Sequence, residues 1–113
     1  MSAGWIASGE PNLDEFAAAT GHPVATQCAL NVMAMGGNAV DAAVSAAFAL
    51  FVLMPDACGL GGDTFALVST QESTIAFNGS GRVPRNWHGD VPSEGAELAS
   101  VPGAVAALQD MHS

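Results

Sequence analysis

The sequence has almost no basic side chains, and this lack excludes several kinds of partner. None of its 113 residues is lysine and two are arginine, against eleven aspartates and glutamates. The net charge of −9 argues against nucleic acid as a partner, because phosphate binding requires clustered lysine and arginine. It disfavours an anionic membrane surface for the same reason. A well-solvated acidic exterior accounts for most of this charge.

Long apolar segments are also lacking. The longest apolar run covers residues 42–54 and is closed by Pro55, whereas a helix that spans a bilayer needs about 20 residues. No basic segment precedes an apolar run within residues 1–20, so no secretory signal is predicted. We therefore expect no membrane span, and the compartment stays undecided.

Cysteine and histidine are too few and too scattered to indicate a metal site. Cys28 and Cys58 both lie among apolar residues, which favours free thiols that behave as small hydrophobic groups, with a disulfide as the alternative. His22, His88 and His112 lie far apart in the sequence, and no second ligand flanks any of them. We expect no metal.

Residues 20–54 predict two helices in succession. Pro23 suits the first turn of a helix, and Gly36 or Gly37 can take the left-handed conformation that ends it. Asn38 is then a good N-cap, with Asp41 at the third helical position. That position explains Asp41 as a capping residue rather than a catalytic acid. The second helix is apolar on every side and should be buried between layers.

The remaining residues predict a glycine loop, a hairpin and a last helix. In the loop, residues 58–63 (CGLGGD), three glycines can take backbone angles forbidden to other residues. A tight turn is the favoured interpretation, with an anion-binding nest of N–H groups as the alternative. Residues 64–69 and 74–77 are predicted as two paired strands, and residues 78–81 break the second strand. An exposed loop is predicted at 85–94 and a short strand at 97–101. Pro102 and Gly103 open the last helix, with Val105, Leu108 and Met111 on one face.

Both arginines fall in one short segment, Arg82-Val-Pro-Arg85, after the flexible residues 78–81. A guanidinium can hold a carboxylate through parallel hydrogen bonds, and the loop at a strand end commonly presents such a group. The alternative is that both arginines neutralise nearby acids.

Four strings in this order resemble the start of the large subunit of the γ-glutamyltranspeptidases: HP from His22, GGNAVDAA, GLGGD and SVPGAV. The likeness covers about residues 19–111. It implies an α/β (α+β) fold that forms part of the αββα sandwich of the N-terminal-nucleophile hydrolases. Residues 1–19 would be a leader or arm, and residues 20–113 an incomplete N-terminal portion of a large subunit.

The resemblance also implies a chemistry. Family members cut themselves into two subunits, and the new N-terminal threonine of the small subunit attacks a γ-glutamyl amide such as that of glutathione. The acyl group then passes to water or to an amino acid or peptide. No cofactor is needed. Family members are often periplasmic, secreted or at the cell surface.

One family site role falls within this stretch, an arginine that binds the α-carboxylate of the substrate. In the family this arginine lies a few residues before a proline that resembles Pro84. In an alignment without a gap from Pro84, the position of the arginine holds Ser80, and Arg82 follows two residues later. We assign the role to Arg82, with Arg85 as the second candidate. No catalytic residue is assigned, because Thr20, Thr64, Thr70 and Thr74 do not match the nucleophile's motif, and the chain alone is expected to be inactive.

The implied partners are therefore the rest of the large subunit and a small subunit that carries the nucleophile. Two other functions stay open. One is a non-catalytic truncated relative that acts as a partner-dependent interaction module. The other is a related acylase with a different acyl group.

Overall fold

A computed structural model describes residues 16–85, 87–89, 94–95 and 99–113. The chain divides into two compact units, residues 1–57 and residues 58–113. The helices and strands are α1 (Pro23–Ala34), α2 (Ala39–Leu53), β1 (Thr64–Ser69), β2 (Thr74–Gly79) and α3 (Ala104–His112). Most of the predicted leader lies outside the described residues. Its last part, residues 16–19, contains no helix or strand.

Helix α1 begins and ends as the sequence predicts. Pro23 occupies the first turn, where its missing N–H leaves no hydrogen bond unmade. Nδ1 of His22, the N-cap, accepts a hydrogen bond from the backbone N–H of Val24 at 3.2 Å. Gly36 follows the C-cap Met35 with φ of 97°, a left-handed conformation that glycine adopts without steric cost.

Helix α2 starts with the predicted capping arrangement. The side-chain oxygen of Asn38 accepts hydrogen bonds from the N–H groups of Val40 at 2.8 Å and Asp41 at 3.0 Å. The Asp41 carboxylate accepts in return from the backbone N–H of Asn38 at 2.8 Å. This reciprocal pair is a capping box, which confirms the structural role expected of Asp41.

Within the first unit, α1 and α2 pack through alanine. Ala29 of α1 and Ala42 and Ala46 of α2 form the buried cluster, with Val32 and Met33 at its edge. Small side chains at four-residue spacing let two helix backbones approach closely. Within the first unit α1 packs on α2, and Val52 remains 79% exposed, so burial of α2 between layers stays an expectation for the complete enzyme.

The second unit contains an antiparallel hairpin. Strand β1 has the predicted bounds, and its residues alternate between half-buried and exposed. Strand β2 runs on to Gly79, so the predicted break after Phe77 is wrong. The reason is that Asn78 and Gly79 still pair with Phe65 and Thr64. Phe65 and Leu67 point to the same exposed face, at 68% and 75% exposure.

Helix α3 packs on both strands of the hairpin, and glycine makes the contact close. A Cβ atom on Gly103 would collide with the carbonyl group of Gly79, and one on Gly79 would collide with Cβ of Ala107. Backbone therefore touches backbone where β2 ends and α3 begins. The buried residues of α3 are Ala104, Ala107 and Leu108. Of the predicted face, Leu108 is buried and Met111 half-buried, whereas Val105 is exposed.

The rest of the second unit has little regular structure. Residues 99–101 form no strand, which contradicts the predicted strand over 97–101 as far as it is described; residues 97 and 98 lie outside the described residues. The described residues of the 85–94 segment form no helix or strand, as expected for a loop. Cys28 and Cys58 are not joined in a disulfide, and each is half-buried. Among the helices that the structure describes, none has the length and apolar character needed to cross a membrane.

Candidate functional site

Three segments distant in sequence meet at the loop that carries Arg82. The N–H of Gly81 donates to Oδ1 of Asp63 at 2.8 Å. The carbonyl of Arg82 accepts from the N–H of Val101 at 2.9 Å. Asn78 closes the start of the loop, since its side-chain oxygen accepts from the N–H of Ser80 at 3.0 Å. The loop at the end of β2 is therefore held on both sides of Arg82.

A second set of hydrogen bonds joins the glycine loop to the start of α3. The carbonyl of Gly62 accepts from the N–H groups of Gly103 at 3.1 Å and Ala104 at 2.9 Å. These donors belong to the first turn of α3, where N–H groups have no partner inside the helix. The glycine loop thus provides a hydrogen-bond acceptor for N–H groups at the start of α3 and holds the start of this helix against the hairpin.

Arg82 lines an open cleft of about 270 Å³ between the end of β2 and α3. Its side chain is exposed. The cleft is lined by Asn78, Gly79, Ser80, Gly81, Arg82, Val101, Pro102, Gly103, Ala106, Ala107 and Asp110. Among these residues Arg82 is the one cation, and Asp110 the one carboxylate. A guanidinium at the edge of such a cleft can bind a carboxylate through two hydrogen bonds.

Arg85 is placed differently. It is exposed, does not line this cleft, and lies in a turn in which the N–H of Trp87 donates to the carbonyl of Pro84 at 3.0 Å. Neither guanidinium forms an ion pair with a carboxylate in the described part of the chain. The structure separates the two candidates and brings Arg82 alone to the cleft.

The glycine loop forms a tight turn, the favoured interpretation. The N–H of Gly62 donates to the carbonyl of Gly59 at 3.0 Å. None of Gly59, Gly61 and Gly62 has a positive φ, so the expected forbidden backbone angles do not occur. Because the Gly62 N–H is used in the turn, this loop offers fewer free donors to an anion than the nest interpretation requires.

Asp63 and the segment around Pro102 have roles that the sequence did not reveal. The carboxylate of Asp63 accepts a hydrogen bond from the Arg82 loop, 18 residues away in sequence. The SVPGAV string was noted only as a motif, yet Val101, Pro102 and Gly103 form one wall of the cleft. The signal was the presence of glycine in three segments: the loop at 58–63, residues 78–81 and the SVPGAV string. Nothing in their spacing specifies that they meet.

Other polar side chains of the described residues serve local structure. The hydroxyl of Thr20 donates to the carbonyl of His22 at 2.8 Å, and that of Thr70 accepts from the N–H groups of the hairpin turn at Glu72 and Ser73, each at 3.2 Å. The residues described contain no cluster of three or more histidine, cysteine, aspartate or glutamate side chains that could hold a metal ion.

Comparison with known proteins decides the family. The sequence profile of the family described as Gamma-glutamyltranspeptidase matches residues 25–113, well over half of the chain. The chain belongs to the γ-glutamyltranspeptidase family. This confirms the resemblance seen in the sequence, and the match covers α1 from Ala25 onward, all of α2 and the whole second unit.

Individual family relatives agree with this assignment. The chain is 40% identical over 94 residues to the glutathione hydrolase-like YwrD proenzyme of Bacillus subtilis, covering 74% of this chain and 18% of that protein. It superimposes on the γ-glutamyltranspeptidase from Pseudomonas nitroreducens complexed with L-DON with a TM-score of 0.81 and 30% identity, covering 88% of this chain and 33% of that one.

A third family likeness is to an enzyme named for a different substrate. The cephalosporin acylase from Bacillus halodurans gives a TM-score of 0.71 and 38% identity, covering 80% of this chain and 19% of that one. These structures confirm the α+β fold of the N-terminal-nucleophile hydrolases. The chain spans less than a fifth of the Bacillus subtilis proenzyme.

Proposed function

We propose that residues 20–113 form the N-terminal portion of the large subunit of a γ-glutamyltranspeptidase-like enzyme and that Arg82 binds the α-carboxylate of its substrate. The enzyme would cleave γ-glutamyl amides such as glutathione through a threonine acyl-enzyme and pass the acyl group to water or an amino acid. The observation that carries this proposal is the position of Arg82: exposed, at the edge of the cleft and on a hydrogen-bonded loop.

The proposal divides the work between this chain and further polypeptide. These residues would supply core helices, the β1–β2 hairpin and the carboxylate-binding guanidinium. The nucleophile would come from a small subunit, because the threonine hydroxyls at positions 20 and 70 are engaged in local hydrogen bonds and none of the four considered matches the nucleophile's motif. No cofactor is invoked, and Arg85 remains the second candidate for the carboxylate.

The test uses the full natural polypeptide, meaning the longest natural chain that contains these residues, together with any subunit cut from it. Arg82→Ala should raise KM for a γ-glutamyl anilide about 100-fold with little change in self-cleavage, which corresponds to about 2.7 kcal/mol of lost binding. Arg85→Ala is the matched control, with the same charge removed outside the cleft. An unchanged KM in Arg82→Ala, or a larger effect in Arg85→Ala, would show that the carboxylate is bound elsewhere.

A second function, a related acylase, is favoured by the likeness to the cephalosporin acylase. A pair of donors distinguishes the two: a γ-glutamyl anilide and the 4-aminobutyryl anilide, which lacks the α-carboxylate. Preference for the γ-glutamyl donor that disappears in Arg82→Ala supports carboxylate recognition. Equal turnover of both donors by the unaltered enzyme supports an acylase with another acyl group.

The third function, a non-catalytic interaction module, draws on the exposed apolar residues of α2 and β1, such as Val52 and Leu67. It predicts no turnover of either anilide by the full natural polypeptide. Turnover that is lost with the downstream threonine would rule it out.

A further inference from the structure

We propose that Asp63 is a positioning residue for substrate recognition, because its carboxylate holds the loop from which Arg82 reaches the cleft. The proposal rests on the proposed function, in which Arg82 binds the substrate carboxylate. It concerns a residue that contacts the backbone beside the arginine and acts through that arginine.

The first step is the geometry on the two sides of Arg82. Asp63 Oδ1 fixes the N–H of Gly81 at 2.8 Å, so the peptide unit that precedes Gly81 is held. The N–H of Val101 fixes the carbonyl of Arg82 at 2.9 Å, so the peptide unit that follows Arg82 is held as well. Because each peptide unit is planar, few backbone angles remain free between these two bonds. The Cα atom of Arg82 is thereby given a defined place.

The second step is that hydrogen bonds also hold the backbone next to Asp63. The carbonyl of Gly62 belongs to the peptide unit that joins Gly62 to Asp63, and it accepts from the N–H groups of Gly103 and Ala104. The start of α3 therefore anchors the backbone of Asp63. Through its short side chain, Asp63 transmits that anchored position to the Arg82 loop.

The third step is that the bond leaves the guanidinium available. Asp63 uses its carboxylate on a backbone N–H, and it forms no ion pair with Arg82 in the described residues. A carboxylate that paired with Arg82 would compete with the carboxylate of the substrate. The arrangement holds the backbone without occupying the side chain.

The fourth step separates positioning from stability. Asp63 is exposed, so water can replace part of its hydrogen bond when the side chain is removed. A misplaced binding group has a different consequence, since a displacement of about 1 Å can lower catalytic efficiency by up to about 100-fold. Loss of Asp63 should therefore be visible in substrate binding more than in folding.

The experiment compares Asp63→Ala, Asp63→Asn, Arg82→Ala and the double variant Asp63→Ala/Arg82→Ala in the full natural polypeptide. In Asp63→Ala, KM for the γ-glutamyl anilide should rise about 10-fold, with kcat and self-cleavage changed by less than about two-fold. Asp63→Asn keeps an acceptor oxygen in the same place and should stay within about two-fold of the unaltered KM. With Arg82 already removed, Asp63→Ala should raise KM no further.

Two controls isolate the effect. Asp41→Ala removes another aspartate whose carboxylate accepts a backbone N–H bond of 2.8 Å, but in the first unit, and it should leave KM unchanged. The 4-aminobutyryl anilide has no α-carboxylate, so its kcat/KM should be insensitive to Asp63→Ala. If Asp63→Ala prevents folding, Asp63→Glu serves instead, because it displaces the acceptor by one methylene and should raise KM by a smaller factor.

The outcomes separate the two proposals. If Arg82→Ala leaves KM unchanged, the proposed function fails. If Arg82→Ala raises KM but Asp63→Ala does not, only the role of Asp63 is overturned. The role is also overturned if Asp63→Asn is as impaired as Asp63→Ala, if the double variant multiplies the single effects, or if both anilides lose activity equally.

Discussion

The two units of this chain bury similar residues but achieve their packing in different ways. In the first unit, α1 and α2 meet through side chains, with Ala29, Ala42 and Ala46 at the centre. In the second, α3 meets the hairpin through backbone, with Gly79 against Gly103 and carbonyl groups bound to the N–H groups of the helix terminus. Side-chain packing joins the two helices of the first unit, whereas backbone contacts fix the positions of the loops in the second.

The difference explains where the candidate site lies. The described residues of the first unit have no arginine, and polar contacts such as those of His22, Gln27 and Asp41 cap helices or bridge neighbouring turns. The second unit holds both arginines and the bonds from Asp63 and Val101 that hold the Arg82 loop. A binding group needs a defined position, and hydrogen-bonded backbone provides a more defined position than contacts between alanines do.

The largest effect is expected when the 113 residues are studied in isolation. Both units expose large apolar side chains, and the buried hydrophobic residues among those described are alanines apart from Leu108. Because buried alanine contributes little apolar area, we expect the isolated chain to aggregate or to melt without a cooperative transition. Calorimetry and sedimentation test this. A sharp melt of a monomer would show that the two units are self-sufficient.

The backbone contact of the second unit can be broken with one methyl group. Gly79→Ala places Cβ against Ala107 and, at 2.6 Å, against the carbonyl oxygen of Thr64. We expect a cost of about 3 kcal/mol, measured by native-state hydrogen exchange of amides in β1, β2 and α3 within the full natural polypeptide. Gly61→Ala is the control, since no atom lies within 4 Å of its added Cβ. Equal costs for the two variants would mean that close backbone approach is not what selects glycine.

A larger residue in the side-chain packing of the first unit should cost less free energy than Gly79→Ala costs in the second unit. Ala46→Leu overfills the contact between α1 and α2, and we expect a loss of about 2 kcal/mol in the exchange of amides in these two helices. Ala43→Leu adds the same atoms at an exposed position of α2 and should change the free energy of opening by less than about 0.5 kcal/mol. The contrast would vanish if α1 and α2 were not packed through this alanine stripe.

The smallest effect is expected at the capping box. Asn38→Ala removes the acceptor for the N–H groups of Val40 and Asp41 and should cost about 1 kcal/mol in the opening of α2. Asn31→Ala removes a side-chain bond to Gln27 within α1 and should cost no more than about 0.5 kcal/mol. Hydrogen exchange at the start of each helix measures both. A larger loss from Asn31→Ala would contradict the capping assignment.

Local signals predicted the elements well because local bonds make them. Pro23, Gly36 and Asn38 mark helix ends through their own backbone chemistry, and these predictions are confirmed. Predictions that depended on distant partners were wrong or incomplete. Strand β2 continues to Gly79 because β1 pairs with it. The burial of α2 on its other faces stays a prediction, because within this chain α1 is the helix that packs on it.

The candidate site shows the same division. The residue types and the loop of Arg82 indicated a carboxylate-binding group, but Arg82 and Arg85 could not be ranked from composition alone. The resemblance placed Arg82 first and Arg85 second, and in the structure Arg82 lines the cleft whereas Arg85 does not. The function of both residues stays a prediction until the kinetic comparison is made.

By itself, the sequence determined the family through the order of its motifs. It also determined the helix boundaries and the presence of one strand pair, since these depend on neighbours within a few residues. Only the tertiary structure decided that Asp63, Gly81 and Val101 meet around Arg82. Nothing in a linear spacing of 18 residues between Asp63 and Gly81 specifies a hydrogen bond. Such contacts follow from how the glycine loop, hairpin and last helix pack, because packing rather than chain proximity brings their donors and acceptors within reach.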